Sequence, residues 1–319
     1  MAYIEWLRSQ VGHRRVFLAF ASVVLRDNQN RILLQKRTDF NLWGLPGGVL
    51  ELGENILSCA KRELREETGL IPGDFSLVGI YSGPKYEVTY PNGDQVQQYT
   101  VCLQAQLQGG QMQVDGSESS DQRFFDPEEI PYNQIPLWYR DMLQAAIAGG
   151  SPSFEPPFSH TITIEQIEDI RANIGQSAYI GVGAIAVQRD DRGRLLMVKR
   201  TDDGQWCLPG GFSNLGENAA FTAVRETIEE TGLQVTPYRL LGVFSPTDLW
   251  VYPNGDQTQS LITLFECHVV GGNLQPDQIE TSAIAWMSPA EVIAKTPHPL
   301  MRSLHRAVVE HLDDGYFLL

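Results

Sequence analysis

Cysteine is scarce in this chain, and its few copies are wrongly placed for two common roles. The four residues, Cys59, Cys102, Cys207 and Cys267, show no pairwise metal spacing and no counterparts between the two halves of the sequence. A disulfide framework and a zinc site are thereby excluded, and reduced thiols of a cytoplasmic protein are expected. Positive charge is also short: 24 Lys and Arg stand against 39 Asp and Glu, for a formal net charge of −15. An acidic surface repels a polyphosphate backbone, so a long nucleic acid is not an expected partner. Small phosphorylated molecules stay open as partners if divalent cations mediate the contact. Long apolar runs are missing as well. The longest, Val16 to Leu25, is too short to span a bilayer, and Glu5 and Arg8 break the N-terminal segment before a signal peptide could form. No membrane contact is expected. The histidines are scattered, and there is no Walker-type Gly-x-x-x-x-Gly-Lys loop.

What is present comes twice. Leu45-Pro46-Gly47-Gly48, Glu54 and Arg62-Glu63-Leu64-Arg65-Glu66-Glu67-Thr68-Gly69-Leu70 form the first copy. Leu208-Pro209-Gly210-Gly211, Glu217 and Arg225-Glu226-Thr227-Ile228-Glu229-Glu230-Thr231-Gly232-Leu233 form the second, a step of 163 residues throughout. Lys36-Arg37-Thr38-Asp39 and Lys199-Arg200-Thr201-Asp202 keep that step, and the Tyr-Pro-Asn-Gly-Asp-Gln segment at Tyr90 returns at Tyr252, one residue closer. Repetition on this scale marks two copies of one domain. Gly149-Gly150-Ser151-Pro152-Ser153 and Pro156-Pro157 suit neither helix nor strand interior, so the domains are read as 1–150 and 160–319.

Each copy reads helix, strands, helix, strands, helix, a mixed α/β class. Phe17 to Leu25 and Ile32 to Lys36 have strand patterns on either side of a turn at Asp27-Asn28-Gln29-Asn30. Leu57, Ala60 and Leu64 mark the buried face of a helix that Gly69 ends. Pro136-Leu137 and Pro299-Leu300 open amphipathic helices, and the tail Tyr316-Phe317-Leu318-Leu319 is expected to dock on a domain surface or a partner chain.

On a helix, Glu63, Glu66 and Glu67 stand at i, i+3 and i+4, so their carboxylates share one side. Three such charges repel one another unless a cation lies between them. Mg²⁺ or Mn²⁺, which take oxygen ligands and keep open positions for phosphate oxygens, are the natural neutralisers. A lone Glu-x-x-Glu-Glu helix is most often a solvated face. The Gly-Gly turn, the intervening Glu and the complete second copy reverse that reading.

Gly48 through Leu70 resembles the full Nudix box, Gly-x5-Glu-x7-Arg-Glu-U-x-Glu-Glu-x-Gly-U, where U is bulky and apolar. Gly211 through Leu233 matches everywhere except at Thr227. The resemblance implies two tandem Nudix-type α/β/α sandwich domains with mixed sheets. It implies a metal held by the carbonyl of Gly47 with Glu63, Glu66 and Glu67, and in the second copy by Gly210, Glu226, Glu229 and Glu230. Arg62 and Arg225 would hold the glutamates by charge-assisted hydrogen bonds. Glu54 and Glu217, near the helix start, would support them. Glu118 and Glu280 occupy equivalent later places and are candidates for a further ligand or base, a role open to Glu63 and Glu226 as well.

The implied reaction is Mg²⁺-dependent hydrolysis, with Mn²⁺ able to substitute, of the pyrophosphate linkage of a nucleoside diphosphate joined to a group X. The substrate is a small nucleotide-type molecule. Pro84, fifteen residues past Gly69, favours ADP-ribose or an ADP-sugar weakly over nucleoside triphosphates and dinucleotides. The copies differ at Thr227 for Leu64, Asn214 for Glu51 and Cys207 for Gly44, none of which removes a carboxylate ligand. Hydrolysis at two sites is therefore expected. The alternative is that one or both domains sense a nucleotide metabolite without turnover. Duplication is compatible with an intramolecular pseudo-dimer or a homo-oligomer.

Overall fold

The computed structural model describes residues 2–114, 116, 118–313 and 315–319. The chain divides into two compact units, Met1–Phe154 and Glu155–Leu319.

The first unit is built around Val16–Arg26, a strand buried along nearly its whole length. A strand apolar on both faces needs a layer on each. It runs parallel to Gln95–Gly110 and antiparallel to Ile32–Arg37 and Gly47–Val49, so the sheet is mixed. Successive side chains point to opposite faces. Val24, Leu34 and Cys102 join Met142 and Leu143 of the helix Leu137–Ala148 in one core cluster. The box helix, Ile56–Thr68, packs on the sheet through Ile56, Cys59, Ala60 and Leu64. Leu57, expected on that buried face, is only partly buried, and Ile56 takes the place. At 3.6 residues per turn, Ile56 lies closer than Leu57 to the axis through Cys59, Ala60 and Leu64. Asn55 caps the helix start, accepting from Ser58 N at 2.8 Å, and Gly69 in the left-handed region (φ 70°) ends it.

The second unit repeats the plan. Tyr179–Gln188 lies parallel to Gln257–Gly272 and antiparallel to Gly210–Phe212. Leu195–Arg200 pairs with Trp206–Cys207 and Thr281–Met287 in a separate three-stranded sheet. The box helix is Ala219–Thr231, capped by Asn218 and ended by Gly232. The helix Pro299–Glu310 closes the core through Leu304, Ala307 and Val308. Thr227 is fully buried, but its hydroxyl bonds to Ala223 O at 2.8 Å and lies 3.3 Å from the Gln188 amide nitrogen. The equivalent pair in the first unit is Leu25 and Leu64, both fully buried. The threonine is therefore matched by a polar neighbour.

One stretch departs from its sequence reading. Ser153–Phe154, read as part of a linker, is a short strand running parallel to Ser76–Tyr81, with Ser153 opposite Gly79 and the Tyr81 hydroxyl 2.8 Å from Ser153 Oγ. Pairing at a sheet edge uses backbone groups, so a Ser-Pro-Ser composition does not forbid it. Phe317–Leu318 does the same in the second unit, parallel to Leu233–Phe244 at Gly242 and Val243. The C-terminal tail thus docks on its own unit. Among the described residues the four cysteines are free, and no helix is long and apolar enough to cross a membrane.

His305, on the last long helix, is 1% exposed, with Nδ1 2.8 Å from Thr296 Oγ1 and Nε2 buried without a partner. Burial lowers its pKa to about 4 from an ordinary 6.5. The neutral ring's contribution to stability is thus complete above pH 6.5 and is lost as the pH falls through 4. The His305 ring carbon-bound proton signals are expected to keep neutral-imidazole shifts from pH 8 to pH 5. A titration midpoint near 6.5 in the folded chain contradicts this.

Candidate active site

Each box folds into a turn, a helix and a single guanidinium that joins them. Gly47 has φ 142°, where a side chain would run into the Ala21 carbonyl, and a Cβ on Gly48 would collide with the Glu63 carboxyl. The two glycines let the turn pass close beside the helix. Arg62 then reaches back along the helix. Its Nε and Nη2 hold the Glu54 carboxylate at 2.7 and 2.9 Å, and Nη2 also donates to Val49 O at 3.1 Å. Its Nη1 donates to Glu63 at 2.7 Å and to Glu66 at 3.3 Å. Glu67 points the other way, accepting from Gly47 N at 2.8 Å and from the Gln35 amide at 2.8 Å.

The second unit reproduces this geometry. Arg225 holds Glu217 at 2.7 Å, Glu226 at 2.8 Å, Glu229 at 2.9 Å and Phe212 O at 2.9 Å. Glu230 accepts from Gly210 N at 3.0 Å. Glu118 and Glu280 are both brought within electrostatic reach of their own sites: Glu118 acts on Glu63 and Glu67, and Glu280 on Glu226 and Glu230.

These carboxylates are held against their preference for water. Burial pushes the Glu67 carboxyl up to about 8; the bonds from Gln35 and Gly47 oppose this, and repulsion from Glu63 and Glu118 adds to it. Burial likewise raises Glu63, and it raises Glu226 to about 7, in each case offset by the neighbouring arginine. Glu230 is raised well above its ordinary range by burial, with Glu226 and Glu280 adding to this and the bond from Gly210 N and the charge of Arg200 opposing it. Among the described residues, no three His, Cys, Asp or Glu side chains are gathered around one point as they would be on a bound ion. Instead the arginine bonds to two of the three box glutamates.

In the first unit a cavity of about 350 Å³ opens on this arrangement. Gly47, Glu63, Glu66 and Glu118 line it, while Glu67 is bonded to the backbone N of the lining Gly47 and Glu54 serves Arg62. The same cavity is lined by Phe40, Tyr90, Trp138 and Tyr139. The Phe40 ring lies 5.7 Å from Tyr90 and 5.8 Å from Trp138, and Trp138 lies 6.1 Å from Tyr139. Tyr90 belongs to the repeated Tyr-Pro-Asn-Gly-Asp-Gln turn. Asp94 of that turn does not reach the cavity and is bound by Arg8 and His13. Trp43 is in the core against Phe125, and Pro84 begins a buried short turn away from the cavity.

Sequence reasoning missed Phe40, Trp138 and Tyr139. Their signal was a difference between copies: Asp203, Met301 and Arg302 stand at the same step in the second unit.

The NUDIX domain family model matches residues 17–146 and again 180–312, together most of the chain. A MutT-like protein of Streptomyces ambofaciens is 35% identical over 114 residues, which are 35% of this chain and 66% of that protein. An ADP-ribose pyrophosphatase of Methanocaldococcus jannaschii is 31% identical over 115 residues, 36% of this chain and 64% of its own. The chain thus spans about two thirds of the length of these relatives. The crystal structure of MutT protein from Methanosarcina mazei Go1 aligns with 43% of this chain and 99% of its own at 19% identity, with a TM-score of 0.36. With the box geometry present in both units, the chain belongs to the NUDIX family, whose hydrolases act on nucleotide pyrophosphate linkages and generally need divalent metal ions.

Proposed function

We propose that the chain hydrolyses the pyrophosphate of a nucleoside diphosphate linked to a second group, with ADP-ribose or an ADP-sugar ahead of triphosphates and dinucleotides, at a site in each unit. The observation that carries this reading is the cavity of the first unit, which combines carboxylates with a wall of aromatic rings. Aromatic faces stack on a nucleobase, and a dianionic pyrophosphate beside glutamates needs a cation between them. The similarity to an ADP-ribose pyrophosphatase favours the diphosphate substrate.

The donor set fits a hard cation. It offers only oxygen ligands, and burial makes the ionised glutamates costly, a cost that a positive charge removes. In this reading the Gly47 carbonyl, Glu63, Glu66 and Glu67 hold Mg²⁺ or Mn²⁺ in the first unit, and Gly210, Glu226, Glu229 and Glu230 do so in the second. The cation supplies stabilisation of charge developing on the phosphate oxygens and a lowered water pKa. The chain's own residues do the rest. Trp138, set edge to face with Phe40, offers its ring to the base, and Arg62, anchored to Glu54, holds Glu63 in place. A water oxygen bonds to one phosphorus as the bridging P–O bond breaks. Its proton passes to a carboxylate, Glu63 or Glu118, and the bridging oxygen leaves with the other phosphate. Glu226 or Glu280 has this role in the second unit. The kept carboxylates there argue for turnover, and the changed wall argues for a different fit to the nucleobase.

A hydrolysis screen with Mg²⁺ and Mn²⁺ over ADP-ribose, ADP-sugars, dinucleoside polyphosphates and damaged nucleoside triphosphates tests the substrate class, and inactivity on all four contradicts it. Glu66→Gln with Glu67→Gln, and separately Glu229→Gln with Glu230→Gln, should each leave part of the turnover; complete loss from the first pair alone rules out two independent sites. Trp138→Ala should raise KM for the first unit's substrate roughly tenfold, as loss of one stacking contact does.

Glu67, raised to about 8 from an ordinary 4.5, favours the fold fully below pH 4.5, and this contribution is lost as the pH rises through 8. The metal-free Glu67→Gln chain should therefore resist urea better than the parent at pH 8.5, by about 1 kcal/mol or more, and match it at pH 4, below the ordinary carboxyl value. Equal stability at the higher pH contradicts the buried charge.

A further inference from the structure

Two glutamines of the first unit, unused by the reading above, hold one residue of the box. Gln35, on Ile32–Arg37, and Gln122, on Ser119–Phe125, are direct partners across antiparallel strands. They are 1% and 4% exposed. The Gln35 amide donates to the Glu67 carboxylate at 2.8 Å, and the Gln122 amide donates to the Glu67 backbone carbonyl at 2.7 Å. One residue is thus clasped by its side chain and its main chain together. In each case the acceptor fixes which end of the amide faces it, so both amide oxygens are turned away, and both are buried without a hydrogen-bond partner. An orphaned buried acceptor costs stability.

The second unit shows that the fold does not need this pair. In the same strand register, Val198 faces Ile284 across Leu195–Arg200 and Thr281–Met287. Neither side chain can donate a hydrogen bond, and the one bond described at the Glu230 carboxylate comes from Gly210 N. The glutamines are therefore not a packing requirement of the strands. What they add is a fixed position for Glu67.

We propose that Gln35 and Gln122 are positioning residues that make the first site the tighter divalent-cation site of the two. This rests on the reading that Glu67 and Glu230 are ligands. Partners that orient a metal ligand typically change affinity by about 10- to 100-fold. The first unit has that support and the second lacks it, so the sites fill in sequence as the metal concentration rises.

The test is Mn²⁺ titration of the chelator-treated full chain, followed by the electron paramagnetic resonance signal of free Mn²⁺. Glu229→Gln with Glu230→Gln isolates the first site, and Glu66→Gln with Glu67→Gln isolates the second. The first site should bind more tightly by about tenfold or more. Adding Gln35→Val to the first-site chain should remove most of that difference, and adding Val198→Gln to the second-site chain should tighten it. Gln35→Asn, which shortens the amide by one methylene, should not restore the affinity. A merely structural role lowers the melting temperature of Gln35→Val and leaves its Mn²⁺ affinity within about twofold, which overturns the proposal. Equal affinities of the two parent sites overturn it too. If Gln35→Val does not fold, the comparison of parent sites and Val198→Gln still decide. Absence of Mn²⁺ binding at either parent site instead overturns the ligand reading on which the proposal rests.

Discussion

The arrangement hangs on one guanidinium in each unit. Arg62 bonds to a loop carboxylate, a strand carbonyl and two helix carboxylates, so loop, strand and helix meet on a single side chain. Charge-assisted bonds of this kind are short and directional. Arg62 is partly exposed and its pair with Glu66 lies at the surface, so the value of the network is geometric more than energetic. Gly47 and Gly48 have no side chain because the Ala21 carbonyl and the Glu63 carboxyl lie that close to the turn. Lysine could not substitute, since a point charge cannot grip the Glu54 carboxylate with two parallel bonds while also reaching Glu63.

Around that constant centre, the copies have changed in pairs. Leu25 and Leu64 of the first unit are Gln188 and Thr227 in the second, while Gln35 and Gln122 become Val198 and Ile284. A buried polar group needs a partner, so one member of such a pair rarely changes without the other. The polar contact has in effect moved from the strands behind the C-terminal end of the box helix to the helix itself. The aromatic wall has changed as well, although Tyr139 belongs to the core cluster and Trp138 packs against it.

The box was legible in the sequence because its geometry is local: i, i+3 and i+4 spacing places Glu63, Glu66 and Glu67 before any tertiary contact forms. The central strands were legible because Val16–Leu25 and Ile32–Leu34 are apolar runs on either side of a turn rich in Asp and Asn. The substrate wall was not. Phe40, Tyr90, Trp138 and Tyr139 come from three distant segments, and only the sheet and the last helix bring them together. Gln35 and Gln122 meet through strand register, which two segments so far apart do not reveal on their own. Ser153–Phe154 was hidden for another reason: an edge strand draws on backbone groups that every residue has.

That edge strand bears on how such a chain can come to exist. An open sheet edge offers unpaired amides and carbonyls to any passing strand. In each unit the segment after the last long helix pairs with a sheet strand, Ser76–Tyr81 at Gly79 and Ile80 in one and Leu233–Phe244 at Gly242 and Val243 in the other. Each copy therefore brings its own seal for that edge. Only residues 155–158 separate the seal of the first unit from the next strand, Ser159–Ile164. A domain whose own chain covers that edge can be joined head to tail to a second copy through so short a joint.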